Sequence, residues 1–142
     1  MPYSTYTDLI AEHDEKLIIE LSDDNGDGVA DQAVINQAIA RADKRIDALV
    51  GQRYQVPLSP VPELAPQLSA QIAVYNLYGH RGITPPEGVT TVYKDALSLL
   101  SKISDGKATF GETTPPAADR EHLDVRTSSN NRIFNRKSMR DF

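Results

Sequence analysis

A helix that is forced to stop constrains this chain more than any other feature. Residues 30–62 run through an apolar-periodic stretch and leave it as Arg53-Tyr54-Gln55-Val56-Pro57-Leu58-Ser59-Pro60-Val61-Pro62. Within Gln32–Val50, the residues Ile35, Ala38, Ile39, Ala42, Ile46 and Leu49 recur at spacings of three, one, three, four and three. That rhythm places them on one side of a 3.6-residue helix. Asn36, Gln37, Arg41, Lys44 and Arg45 fall largely on the other side. Gly51 marks the expected end, and Pro57, Pro60 and Pro62 forbid renewal, because proline lacks the N–H and drives its predecessor toward extended geometry. A straight rod followed by a stiff strap therefore sits at the centre of the chain.

Other helices can be read around the rod. Thr5 or Thr7 caps a short first helix with Leu9 and Ile10 on its apolar side, and Glu15–Leu21 forms a second with Leu17, Ile18 and Leu21 inward. Both are too short to stand alone and must pack on something larger. After the strap, about Glu63–His80 forms a long helix with Leu64, Leu68, Ile72 and Tyr75 on one side. Ala70, Ala73, Val74 and Leu77 widen that face, so this helix is expected to be central and covered on more than one side. Pro85-Pro86-Glu87 opens a third long helix, to about Ile103, striped by Val89, Val92, Tyr93, Ala96, Leu100 and Ile103 and closed by Asp105-Gly106.

The expected fold class is all-α: an antiparallel bundle of three long helices with two short N-terminal helices. Short extended pieces at Tyr54–Leu58 and Ala108–Phe110 could pair, but no alternating strand pattern exists. The division is a helical-bundle domain over 1–106 and an extended, flexible, partly disordered tail over 107–142. The tail's large apolar residues are sparse, and Thr113–Ala118 is linker-like, a composition that cannot offset its own ordering entropy.

The 142 residues suit one domain. There is no cysteine, which excludes a disulfide scaffold, a thiolate zinc site and a cysteine nucleophile, and fits a reducing compartment. No apolar run approaches the ~20 residues that span a bilayer, and no secretory leader is expected from Met1–Asp8. The net charge of −5 is uneven: beyond Val125 the charged residues are Arg126, Arg132, Arg136, Lys137 and Arg140 against Asp141 alone. An acidic body is a poor nucleic-acid surface. A basic tail carrying the apolar anchors Ile133, Phe134, Met139 and Phe142 suits docking on an acidic protein surface.

The loop Ser22–Asp31 carries the most specific motif. Asp23, Asn25, Asp27 and Gly28 stand at positions 1, 3, 5 and 6 of a calcium-binding EF-hand loop, and Asp31 stands at position 9. Position 12 needs a bidentate glutamate but is Val34, already inside the next helix. The stretch therefore reads as a turn in which Asn and Gly take left-handed geometry and Asp31 caps the long helix; Asp23, Asn25, Asp27 and Asp31 remain a weak calcium candidate only. His13, His80 and His122 have no ligand spacing and read as surface residues. Asp43 and Asp47 lie one turn apart and are expected to face water, Arg53 or a neighbouring subunit. No phosphate loop, nucleophile elbow or other catalytic motif is present, so neither a catalytic residue nor a cofactor is assigned.

One ordered set of residues is more specific than its parts. It comprises Tyr3–Leu9, Ala38-x-x-x-Ala42-x-x-x-Ile46-Asp47-x-Leu49-x-Gly51-x-Arg53-Tyr54, Pro57-Leu58 and Val61-Pro62. Ala73-Val74-Tyr75-Asn76-Leu77-Tyr78 and Leu100-x-x-Ile103-x-Asp105-Gly106-Lys107-Ala108-Thr109 complete it. This set resembles the Mu-like tailed-phage and prophage neck protein family over residues 3–110, and more loosely through Arg132-Ile133-Phe134-x-Arg136 and Phe142.

The resemblance implies a non-enzymatic head–tail connector, or adaptor, in the virion, assembled in the host cytoplasm. Its partners would be the portal protein, the next neck or tail protein, and further copies of itself in a ring of about twelve. DNA would pass through without specific binding, and no membrane is involved. The partner-binding residues assigned on this basis are Arg53 and Tyr54 in the strap and Ile133, Phe134, Arg136, Lys137, Arg140 and Phe142 in the tail. The competing readings are a nucleic-acid-binding packaging accessory that uses the tail arginines and a calcium-responsive module that uses Asp23–Asp31.

Overall fold

The computed structural model describes residues 1–111. Five helices succeed one another: α1 (Tyr6–Glu12), α2 (Glu15–Ser22), α3 (Gln32–Val50), α4 (Leu64–Arg81) and α5 (Glu87–Ser104). No strand occurs among the described residues. The pieces at Tyr54–Leu58 and Ala108–Phe110 meet through their rings instead: Tyr54 stands edge-on to Phe110 at 5.2 Å.

Local chemistry sets the helix ends. The Asp8 carboxylate accepts from the Thr5 N–H and hydroxyl at 2.7 and 2.9 Å and fastens the start of α1. Asp31 Oδ1 accepts from the Ala33 N–H at 3.0 Å and starts α3, as expected. At the end of α3, the N–H groups of Arg53 and Tyr54 both donate to the Val50 carbonyl, at 2.9 and 2.8 Å. Gly51 permits this turn, because a Cβ there would sit 2.7 Å from the Asp47 carbonyl oxygen. α4 ends at Gly82, which takes φ 69° while the Ile83 N–H reaches back to the Tyr78 carbonyl.

The long helices run antiparallel, as side-chain bonds near opposite ends show. Asn76, late in α4, donates to the Ala38 carbonyl early in α3, while Ser69, early in α4, bonds Asp43 further along α3. Tyr75 of α4 stacks on Tyr93 of α5 with centroids 3.8 Å apart. α4 is the hub: α3, α5, α1 and α2 all pack on it. Its buried residues, among them Leu68, Ile72, Ala73, Val74 and Leu77, leave little of its circumference to water. The short α1 and α2 contribute Leu9, Ile18 and Leu21 to the same core.

Three details depart from the expectations. Val92, placed on the core stripe of α5, is 37% exposed. Tyr75 is only half-buried, because its ring faces Tyr93 rather than the core. The packed body also runs past residue 106 to Phe110, which joins the core against Tyr54. None of the described helices is long and apolar enough to cross a membrane.

Candidate functional site

The strap is held by the N-terminus. Tyr3 lies buried between α3 and the strap. Its hydroxyl donates to Asp47 Oδ1 and accepts from the buried Leu58 N–H at 2.8 Å. Its own backbone N–H donates to Asp43 Oδ2 at 3.0 Å. Asp43 Oδ1 accepts from the Ser69 hydroxyl at 2.6 Å, and Ser69 in turn pairs with the Ser4 hydroxyl at 2.7 Å; both serines are fully buried. One continuous network therefore ties residues 3–4 to α3, α4 and the strap. Asp43 and Asp47, each only partly exposed, thus hold the N-terminal segment, a role that their spacing did not indicate.

The electrostatics are set by the burial. Desolvation, with the Asp47 carboxylate alongside, pushes the Tyr3 phenol up to about 12. Burial also raises Asp43 above the ordinary carboxylate value, against the opposing pull of Ser69 and the Tyr3 N–H. The peptide bonds Val56–Pro57 and Ser59–Pro60 are both cis.

The acidic loop is organised around Asp23. Its carboxylate accepts from the N–H groups of Gly26, Asp27 and Gly28 at 2.7, 3.2 and 2.8 Å, while Asp27 Oδ1 accepts from the Val29 N–H. Gly26 and Gly28 take positive φ; Asn25 does not, contrary to expectation. The loop is latched to the end of α4: His80 Nε2 lies 3.0 Å from Asp24, and Arg81 donates to the Asp23 carbonyl. Among the described residues no group of three or more His, Cys, Asp or Glu is placed to share a metal ion.

The donated backbone bonds, that from Gly28 first, hold Asp23 below its ordinary value of 3.8. A depressed carboxylate supplies stability that is present above 3.8 and lost as pH falls through the folded-state value. The amide NMR shifts of Gly26 and Gly28 are therefore expected to titrate together with a midpoint below 3.8. A calorimetric titration with calcium is expected to give a flat trace; saturable heat would restore the metal reading.

The strap residues assigned to partners divide. Tyr54 is 8% exposed, with its ring committed to Phe110. Arg53 is half-buried, and its guanidinium lies over Gly106, where φ is +79° and a Cβ would collide with it. The tail residues Ile133, Phe134, Arg136, Lys137, Arg140 and Phe142 lie outside the described residues, as does His122.

Among the described residues, two grooves open on α3. One, about 690 Å³, lies between residues 1–7 and the side of α3 that carries Asn36, Ile39 and Asp43. The other, about 620 Å³, faces α5 and is lined by Arg41, Lys44, Arg45, Ala48, Asn76 and Leu97, among others. Arg45 is held there by the Tyr93 hydroxyl at 2.8 Å, with its guanidinium 6.0 Å from the ring centroid.

Sequence reasoning missed Tyr3, Ser4 and Ser69 as a unit. The available signals were a serine flanked by Leu68 and Ala70 in the apolar-rich stretch of α4 and two aspartates one turn apart on α3. It placed Arg41, Lys44 and Arg45 on the side of α3 away from the apolar stripe without showing that they form one wall of a groove.

The described residues form a small helical bundle with a clasped strap. The chain belongs to the Bacteriophage Mu Gp36 family, whose profile matches residues 3–127. It is 33% identical over 139 residues to gene product J of Escherichia phage Mu, covering 96% of each chain. It is also 30% identical over 81 residues to the Mu-like prophage FluMu protein gp36 of Haemophilus influenzae, covering 57% of this chain and 55% of that one.

Proposed function

We propose that the chain is a structural, non-enzymatic subunit of the phage head–tail connector, joining other copies in a ring at the portal vertex of the virion. The observation that carries this reading is the rigid build of the bundle. Its N-terminus is tied to α3 by part-buried hydrogen bonds and the strap to Tyr3 by a buried one, so the exposed helix faces are what the body offers. A preformed surface loses little entropy on assembly. The Mu family membership supplies the phage setting.

The tail supplies the partner-dependent contact, through Ile133, Phe134 and Phe142 as apolar anchors and Arg136, Lys137 and Arg140 as charges. In the full chain, Phe134→Ala with Phe142→Ala is expected to weaken association with purified portal by at least about tenfold, or ~1.4 kcal/mol. The melting temperature of the bundle should not change. Portal affinity equal to wild type would remove the tail from the contact.

The packaging-accessory reading draws on the same tail arginines and on the Arg41–Arg45 wall. Salt-dependent binding of DNA, lost on reversing the tail charges, would favour it; no binding at low salt favours the connector.

A further inference from the structure

We infer that two oppositely charged sides of the bundle are the halves of one contact between neighbouring copies. The basic wall of α3, at Arg41, Lys44 and Arg45, receives the acidic α1–α2 edge of the next copy. This rests on the ring-forming connector reading and names its interface.

The charge division is steep. Residues 1–31 carry nine Asp/Glu against Lys16 alone, whereas residues 32–111 carry six against eight Lys/Arg. Glu12, Glu15 and Glu20 are exposed on α1 and α2, where Glu15 accepts from the Tyr6 hydroxyl and Glu12 from the Gln71 amide at the surface, and Arg41, Lys44 and Arg45 are exposed on α3. The acids of α3 do not neutralise its basic wall, because Asp43 and Asp47 point to Tyr3 and Ser69 on the other flank. Among the described residues Arg41 and Lys44 form no ion pair within the chain. Arg45 is pre-oriented by Tyr93, and Ala48, Leu49 and Leu97 give the groove apolar surface for a partner helix to cover.

The two faces lie apart. α1 and α2 pack chiefly on α4, with a small contact of α2 on α3; α5 packs on α3 and α4, and the α1–α2 pair makes no substantial contact with α5. A contact of each face with itself would oppose like charges. A contact of one face with the other leaves a free copy of each on every dimer, so the association is heterologous and closes into a ring if the rotation permits.

The test uses two full-length variants. In the first, Arg41→Glu, Lys44→Glu and Arg45→Glu make both faces acidic; in the second, Glu12→Lys, Glu15→Lys and Glu20→Lys make both basic. All six positions are exposed, and unchanged circular dichroism and melting temperature will verify the fold. In sedimentation velocity at low salt, where surface charge is least screened, wild type should associate. Each variant alone should remain monomeric, at least about tenfold weaker in association. Their equimolar mixture should associate again, because every contact then joins an acidic face to a basic one.

Association of either variant alone at wild-type strength, or a monomeric mixture, overturns the assignment; so does a wild type that stays monomeric beside a monomeric mixture. Rings on portal formed by either variant as readily as by wild type would sink these faces and leave the connector reading standing. Failure of wild type to join portal, with a mixture that associates, would do the reverse.

Discussion

Tyr3→Ala is expected to lower the unfolding free energy by about 4 kcal/mol, and Tyr3→Phe by about 2 kcal/mol. The first removes a buried ring that is 5% exposed together with all it bonds. The second keeps the ring and removes only the hydroxyl. That hydroxyl joins Asp47 on α3 to the buried Leu58 N–H in the strap. Without it the Leu58 N–H is left inside with no acceptor, and the desolvation cost of that orphan dominates. Urea unfolding of the two variants checks both values, and a Tyr3→Phe cost below about 0.5 kcal/mol would mean that the clasp does not hold the strap.

The pH dependence provides a second reading of the same contact. The phenol is raised from 10.0 to about 12 in the folded chain. Folding therefore favours the protonated form, and its stabilisation is complete below pH 10 and lost as pH rises to about 12. The stability gap between wild type and Tyr3→Phe should narrow across that window. Asp43 is also raised, by burial. Its contribution is therefore largest below the ordinary carboxylate value and falls as pH rises through the folded one, opposite in direction to that of Asp23.

Tyr54→Ala should cost about 3–4 kcal/mol, in the range for truncating a buried aromatic ring. Its ring stands edge-on to Phe110, the last core residue among those described, at 5.2 Å. Tyr54→Phe keeps that geometry and should stay within about 0.5 kcal/mol of wild type. The pair separates two roles for this strap residue. If Tyr54 acts as packing, Tyr54→Phe leaves portal association intact, and Tyr54→Ala weakens it only as far as the body loosens. A Tyr54→Phe variant with wild-type stability and reduced portal association would mean that the hydroxyl touches a partner. A double-mutant cycle with Phe110→Ala should return a coupling of about 0.5–1.5 kcal/mol.

The rod was legible because its punctuation is local. Asp31 caps it, Gly51 turns it and the prolines bar its renewal, and each of these acts within a few residues. The hub position of α4 could be read from apolar width alone. The clasp was not legible, since Tyr3 reaches Asp43, Asp47 and Leu58 across tens of residues of chain and no periodicity records such a bond. The same holds for Tyr54 with Phe110 and for the Tyr75–Tyr93 stack, which draws Tyr75 out of the core stripe. The acidic loop shows the converse: its spacing fits a metal motif in part, while its oxygens are taken up by the N–H groups of Gly26, Asp27 and Gly28. Charge placement was legible in amount and not in direction. The sequence places Asp43 and Asp47 within one turn of Arg41 and Arg45, and only the packing turns the acids to Tyr3 and the bases to the α5 groove.

The connector reading is tested most directly by mixing the full-length protein with purified portal rings and imaging the particles by electron microscopy. The expected result is an added ring coaxial with the portal, of the about twelve copies that the family resemblance implies. Portal particles left unchanged by saturating amounts of folded protein would contradict it.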